Sequence, residues 1–76
     1  MPLPAPLWDP DVYLMDLFGS KAARSGGVIR RQRRDIERIV GVDRFAAELR
    51  RRGFSSVENG GQIVVFCNRE PIRRLT

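Results

Sequence analysis

Residues 42–68 constrain the fold most tightly, because they combine the signals for a helix, a helix stop and a β-hairpin in direct succession. Asp43 is a suitable N-cap, and Gly53 falls where a helix ends on a left-handed residue. The Asn59-Gly60 pair that follows is the strongest short-range signal for a hairpin turn. Residues 63–67 are an unbroken apolar run. We therefore predict a strand here that is apolar on both faces and central in its sheet.

A central strand needs two neighbours, and the hairpin supplies only one of them. Residues 71–75 are predicted to supply the second after a turn at residues 68–70, since an edge strand tolerates Pro71. The predicted fold class is α+β, with two or three short helices packed on a three-stranded antiparallel β-meander. We expect residues 1–24 to form a proline-rich lead, a short apolar helix and a linker, and residues 25–76 to form a small basic α+β domain.

A helix is predicted in the N-terminal part, where Asp9-Pro10 is a typical start and Gly19 a stop. Its surface is apolar nearly all round, so it must pack against something. One interpretation is that it covers a face of the sheet. The other is that it docks into a protein partner, as the helix of an adaptor or regulatory subunit would. The residues of this candidate protein-binding segment are Trp8, Tyr13, Leu14, Leu17 and Phe18.

Two structures compete for residues 28–40. On a helix, the apolar side chains fall within about a third of the circumference, and every fourth residue from Arg30 to Arg38 is an arginine on the far side. This amphipathic helix with a basic stripe is our prediction. The alternative is an edge strand over residues 28–34 with Asp35 capping a shorter helix, which the preceding glycines and a β-branched pair favour.

Charge is unevenly distributed along the chain. Residues 1–20 carry three acidic side chains and no basic one, whereas residues 21–76 carry 14 basic and six acidic side chains. Thirteen of the basic residues are arginine, whose planar guanidinium binds phosphate in a bidentate manner. The same arginines can also lie on a solvated surface in pairs with acidic side chains. The candidate nucleic-acid-binding residues are Arg30, Arg31, Arg34, Arg38, Arg50, Arg51, Arg52, Arg73 and Arg74.

Several kinds of chemistry are excluded by the composition. The sequence has no histidine, so Ser-His-Asp and Cys-His arrangements and ordinary zinc sites cannot form within this chain. Its single cysteine, Cys67, lies in the apolar strand and is expected to be buried. We therefore expect no enzyme activity, no cofactor and no metal. Residues 1–10 lack the basic start of a signal peptide, and no apolar run reaches membrane-spanning length, so a cytoplasmic protein is expected.

The order of elements over residues 43–75 resembles the HicA family of small messenger-RNA-cleaving toxins. The likeness rests on a helix, Gly53-Phe54, a strand, a glycine turn, a second strand and an arginine-rich last strand. Members of that family fold like a double-stranded-RNA-binding domain and depend on a histidine just after the glycine turn. Gln62 holds that place here. The resemblance therefore implies an RNA-binding surface without the cleavage chemistry.

Residues 53–73 also resemble short bacterial proteins of unassigned function, through the runs Val-Glu-Asn-Gly-Gly-Gln and Phe-Cys-Asn-Arg-Glu-Pro. Some of those proteins carry the label phosphoribosylanthranilate isomerase. That isomerase is a TIM barrel, a fold that typically needs about 250 residues. The 76 residues here cannot form that barrel, so this second resemblance implies no isomerase activity.

The favoured function is binding of nucleic acid, either RNA or without sequence preference, by a small non-enzymatic module. No aromatic residue is interleaved with the arginines in the sequence, which argues against stacking of bases from a single strand. A protein-interaction module that acts through the N-terminal segment is the alternative. Binding of the basic helix to a membrane surface is a weaker third idea, since the apolar face of that helix lacks Trp, Phe and Leu.

Overall fold

The computed structural model describes residues 9–76, which form four helices on one side of a three-stranded antiparallel sheet. The helices are α1 (Pro10–Phe18), α2 (Lys21–Arg24), α3 (Arg33–Ile39) and α4 (Val42–Arg52). The strands are β1 (Val28–Gln32), β2 (Ser55–Asn59) and β3 (Gln62–Phe66). The predicted α+β class with a three-stranded antiparallel sheet is confirmed.

β3 is the central strand, as predicted, and the strand order is β1-β3-β2. β1 and β2 both run antiparallel to β3, so they are parallel to each other on its two sides. Helices α3 and α4 connect these two edge strands, and the hairpin then inserts β3 between them. The order therefore differs from that of a meander, in which consecutive strands are neighbours.

The predicted hairpin is confirmed, and its turn lies one residue later than the Asn59-Gly60 signal. Asn59 pairs with Gln62, so the connecting loop is Gly60-Gly61. Both glycines have positive φ angles, 58° and 77°. A two-residue turn of type I′ requires positive φ at both positions, and its twist matches that of the flanking strands.

The predicted end of α4 is also confirmed. Gly53 adopts the left-handed conformation with φ of 77°. Its N–H donates to the Arg50 carbonyl at 3.1 Å, and the N–H of Phe54 donates to the Leu49 carbonyl at 2.9 Å. These are the two hydrogen bonds of a Schellman motif, which satisfies the last carbonyls of a helix.

The start of α4 differs from the prediction. Asp43 lies in the first turn instead of at the N-cap, which Gly41 occupies without a side-chain hydrogen bond. Gly41 has a φ of 93°, and its N–H donates to the carbonyl of Ile36 at 2.7 Å. Glycine tolerates this conformation, which reverses the chain from α3 into α4. Asp43 still favours the helix, since a carboxylate is stabilised near the positive end of the helix dipole.

One hydrophobic core lies between the helices and one face of the sheet. The strand side of this core is Ile29, Ile63, Val65 and Cys67. The helix side is Leu14, Leu17, Phe18, Ala23, Ile36, Phe45 and Leu49. Three of these residues come from α1, so α1 packs onto the sheet with the other helices, as the first of the two interpretations expected.

The helix predicted over residues 28–40 is wrong, because β1 occupies its first part. The alternative, a strand followed by a shorter helix, is the correct one, although α3 begins at Arg33 and not at a cap on Asp35. A period of two overrides the helical period here: Ile29 points into the core opposite Val65, and its neighbours face away. The backbone groups of β3 need a hydrogen-bonding partner on each side of the strand. β2 pairs with one side, and β1 pairs with the other.

The strand predicted at residues 71–75 is wrong as well, because β1 already occupies the place beside β3. Residues 68–76 form no helix or strand, and we call them the C-terminal tail. Pro71 has no N–H to give to a ladder. The turn predicted at residues 68–70 is present: the side-chain oxygen of Asn68 accepts a hydrogen bond from the N–H of Glu70 at 3.0 Å.

The linker predicted at the end of residues 1–24 is instead the single-turn helix α2. Ser20 caps this turn, because its hydroxyl accepts a hydrogen bond from the N–H of Ala23 at 3.3 Å. In the part of the chain that the structure describes, no helix has the length and apolarity needed to cross a membrane.

Candidate functional site

Within residues 9–76, no helix covers the face of the sheet opposite the core, and we call it the open face. Side chains alternate along a strand, so the register assigns three side chains of each strand to this face. They are Val28, Arg30 and Gln32 of β1, Gln62, Val64 and Phe66 of β3, and Ser55, Val57 and Asn59 of β2. The face that packs against the helices is the closed face.

The open face has a polar end and an apolar end. At the hairpin end, Gln32, Gln62 and Asn59 lie opposite one another and form a row of three carboxamide side chains. At the other end, Phe66 lies opposite Val28, which is 48% exposed. The face therefore offers hydrogen-bonding groups at one end and an apolar contact surface at the other.

Ion pairs lie on or beside the helices. Within residues 9–76, five carboxylates bind five arginines in six pairs. These pairs are Arg44–Asp11, Arg38–Asp35 at 3.1 Å, Arg33–Glu37 at 2.5 Å, Arg33–Glu58, Arg51–Glu48 and Arg52–Glu48 at 2.7 Å. None of these carboxylates projects from the open face, although Asp35 lines a cleft with Arg30 and Gln32 at its rim.

Glu48 anchors the closest cluster of these charges. Hydrogen bonds from Arg51 and then from Arg52 hold the pKa of Glu48 below its ordinary value, although partial burial acts in the opposite direction. The guanidinium carbon of Arg52 also lies 4.3 Å from the centre of the Phe18 ring, a cation–π contact. Arg51 and Arg52 were both predicted to bind nucleic acid, and both are engaged within the protein.

Within residues 9–76, six arginine side chains form no ion pair or hydrogen bond, namely those of Arg24, Arg30, Arg34, Arg50, Arg69 and Arg73. Three of them belong to the open face or its rim. Arg30 projects from the middle of the face. Arg34 lines a cleft of about 350 Å³ with Gly61 at the hairpin end. Arg73 lines a cleft of about 320 Å³ with Phe66 at the opposite end.

The row of arginines predicted along residues 30–38 is divided by the structure. Arg30 belongs to β1, whereas Arg34 and Arg38 belong to α3. Arg38 pairs with Asp35, three residues earlier. The basic stripe on a single helix is therefore wrong, because a strand and a helix share these residues.

The other two predicted clusters are divided as well. Arg50 is exposed at the end of α4, on the helical side of the sheet. In the C-terminal tail, Arg73 lies beside the open face, whereas Arg74 donates from Nε to the carbonyl of Thr76 at 2.6 Å. The nine predicted arginines thus contribute three residues to the open face and its rim.

The candidate protein-binding segment lies largely in the core. Three of its members are buried: Leu14, Leu17 and Phe18. Tyr13 is half-buried near Arg31, another of the predicted nucleic-acid-binding arginines. Burial raises the pKa of Tyr13, and the charge of Arg31 opposes that shift. Trp8 lies outside the described residues. A partner could reach the buried members only by displacing α1.

The described residues offer little for catalysis. Cys67 is 4% exposed, and burial raises the pKa of its thiol against the opposing charge of Arg52. A buried, protonated thiol is a poor nucleophile. Within residues 9–76, no three His, Cys, Asp or Glu side chains are grouped so that they could hold a metal ion. The strand side chains of the open face include neither a carboxylate nor a thiol.

The proximity of Phe66 to Arg30 was not predicted, because the two residues are far apart in the sequence. Arg30 lies opposite Val64, which makes Phe66 its diagonal neighbour on the open face. Side chains at diagonal positions are about 7–8 Å apart and can touch when they are long or aromatic. In the folded chain an aromatic residue therefore shares the open face with one of the predicted arginines. The alternation of side chains between the two faces of β1 would have predicted this arrangement, but we predicted a helix for these residues.

No family model, curated protein or solved structure matches this chain. The two resemblances noted from the sequence remain predictions. The function is therefore inferred from the geometry and charge of the open face.

Proposed function

We propose that this protein is a small non-catalytic module that binds nucleic acid, either RNA or without sequence preference, through the open face. The observation that carries this proposal is the separation of charge between the two sides of the sheet. The open face has one charged side chain, Arg30, and no carboxylate. Arg34 and Arg73 add free guanidinium groups at its two ends. The carboxylates nearest to these arginines, Asp35, Glu37 and Glu70, line the clefts at the rim, and none projects from the face itself. A polyanion that lies on the face therefore meets free guanidinium donors.

The composition supports the same function. The formal net charge of the chain is +5 and its isoelectric point is about 11.0, so the whole molecule attracts a polyanion over long range. A sheet with helices on one side and an exposed face is also the architecture of some RNA-binding modules, which is a likeness of architecture only. The absence of histidine from the sequence and the buried state of Cys67 support a role without catalysis.

The test is fluorescence anisotropy with labelled duplex RNA, duplex DNA and single-stranded RNA at salt concentrations from about 50 to 200 mM. Each phosphate that a cation neutralises contributes about −0.7 to −0.9 to the log–log salt slope. Engagement of Arg30, Arg34 and Arg73 therefore predicts a slope of about −2 to −3. We expect binding that is micromolar or tighter at the lowest salt.

Two variants of equal net charge locate the binding surface. Replacing Arg30, Arg34 and Arg73 together by glutamine should bring the slope close to zero. The matched control replaces Arg38, Arg44 and Arg51, three arginines that pair with carboxylates near the helices, and should keep most of the slope. An equal loss in both variants would show that binding follows net charge and not the open face. No binding of any probe at the lowest salt would exclude a nucleic-acid-binding function.

A further inference from the structure

The apolar end of the open face continues into a cleft between Phe66 and the C-terminal tail. Its volume is about 320 Å³, at the lower end of the roughly 300–1,000 Å³ of small-molecule sites. Phe66, Pro71 and Ile72 form apolar walls, while Glu70 and Arg73 supply one acceptor and one donor at the rim. The cleft has the chemical character of a site for a flat, partly polar ring.

The wall of the cleft that the tail supplies is held in place by contacts at the start of the tail. Asn68 donates from Nδ2 to the carbonyl of Gly26 at 3.3 Å and accepts from the N–H of Glu70 at 3.0 Å. The side chain of Arg69 lies against Gly53, where an added Cβ would meet its Cγ at 3.3 Å. These contacts order the wall before a ligand arrives, which lowers the entropic cost of binding.

Phe66 differs from the aromatic residues of the core. Phe18 packs against Phe45 with ring centres 6.2 Å apart and against Phe54 with ring centres 5.9 Å apart. Among residues 9–76, Phe66 has no such ring partner, and its side chain is only half-buried. Arginines stand on both sides of it, in β1 and in the tail. An accessible aromatic ring beside guanidinium groups can stack on a base whose phosphates those groups contact.

We propose that this cleft holds one unpaired base of a single-stranded nucleic acid, stacked on Phe66, with the adjoining backbone crossing the open face past Arg30. This inference rests on the function proposed above and adds that the ligand is single-stranded, because the bases of a duplex are not free to enter a cleft. Charge favours this occupant over a second copy of the chain. Two copies packed through this cleft would set Arg30 and Arg73 of one against those of the other, with Glu70 as the carboxylate that lines the cleft; the excess of like charge disfavours that contact.

The test compares three labelled probes of equal length, about 12 nucleotides, which is within the usual site size of single-strand binders. One is a thymidine single strand, one is a strand of abasic nucleotides, and one is a duplex. The wild-type protein should bind the thymidine strand more tightly than the other two. Phe66→Leu keeps an apolar side chain but removes the ring, and should weaken binding of the thymidine strand about 5- to 100-fold, with the abasic strand unchanged. Phe66→Tyr keeps the ring and should bind as the wild type does.

The outcomes separate this inference from the function on which it rests. If the wild-type protein binds the thymidine and abasic strands equally, base stacking is wrong while phosphate binding by the arginines stands; this comparison needs no variant to fold. Failure to bind any of the three probes would overturn both proposals. A dimer in sedimentation experiments that Phe66→Leu dissociates would identify the cleft as a subunit interface and would also overturn the inference. Thermal unfolding followed by circular dichroism checks that both variants are folded.

Discussion

The two faces of the sheet differ in how many contacts their side chains make within the protein. On the closed face, Ile29, Val65 and their neighbours are buried beneath four helices, and nearby arginines pair with carboxylates. On the open face, the side chain of Arg30 forms no ion pair or hydrogen bond and Phe66 has no ring contact within residues 9–76. The fold explains the first set of residues completely. The side chains of the second set make no such contacts, so these residues are the better candidates for function.

The largest expected effect on stability comes from truncating one phenylalanine on each side of the sheet. Phe45 is 2% exposed in the core, so Phe45→Ala should lower the free energy of unfolding by about 3–5 kcal/mol. Phe66→Ala should cost less than half as much, because it enlarges an open cleft instead of creating a closed cavity. Urea denaturation followed by circular dichroism measures both.

The loss at Phe45 approaches the whole stability expected of a small domain, which is on the order of 5 kcal/mol. If Phe45→Ala does not fold, Phe45→Leu and Phe66→Leu provide the same comparison with smaller effects. Equal losses at the two positions would show that Phe66 belongs to the core, and the distinction between the faces would not stand.

The second test compares two arginines in the last turn of α4. Arg52 lies over the ring of Phe18 and donates to Glu48 at 2.7 Å, whereas Arg50 has no partner within residues 9–76. Arg52→Ala should lower the free energy of unfolding by about 1 kcal/mol, through lost packing and the lost cation–π contact. Arg50→Ala should change it by less than about 0.5 kcal/mol. If both variants lower the thermal stability by the same amount, the ion pair and the cation–π contact of Arg52 do not contribute to stability.

Local signals in the sequence were enough to predict those elements whose cause is local. Gly53 ends α4 because a left-handed residue is required there, and the Asn59-Gly60 pair marks the hairpin to within one residue. Asp9 begins α1, since its carboxylate accepts the N–H of Asp11 at 2.7 Å. In each case the deciding contact is made within a few residues, so no knowledge of the rest of the chain was needed.

Non-local choices were the ones that the sequence left open. The helical pattern of residues 28–40 is genuine, but a hydrogen-bonding partner for β3 stabilises β1 in their first part. That choice decides which side chains share the open face with Phe66, so the site could not be assembled until the strand order was known. The ion pairs were also hard to predict when they join distant residues. Arg44 and Asp11 are brought together only when α1 packs against the other helices.

The smallest expected change in stability comes from removing a single charge on the helical side of the sheet, that of Glu48. Hydrogen bonds from Arg51 and Arg52 lower the pKa of Glu48 in the folded protein, and its side chain is 18% exposed. The ionised carboxylate therefore stabilises the fold above its unfolded-state pKa of about 4.3, and this contribution is lost as the pH falls through the lower folded-state pKa. Glu48→Gln should be less stable than the wild type by about 0.5 kcal/mol at neutral pH.

The same comparison at acidic pH isolates the part of that effect that is due to charge. The difference between wild type and Glu48→Gln in urea denaturation should narrow as the pH falls from the unfolded-state pKa of about 4.3 towards the lower folded-state pKa, because Glu48 of the unfolded chain binds a proton first. Glu70→Gln is the control, because Glu70 lies in the exposed tail and forms no ion pair within residues 9–76; its stability should follow that of the wild type throughout. A difference at Glu48 that stays constant with pH would assign its contribution to shape and neutral hydrogen bonding. The ion pairs would then not distinguish the helical side from the open face.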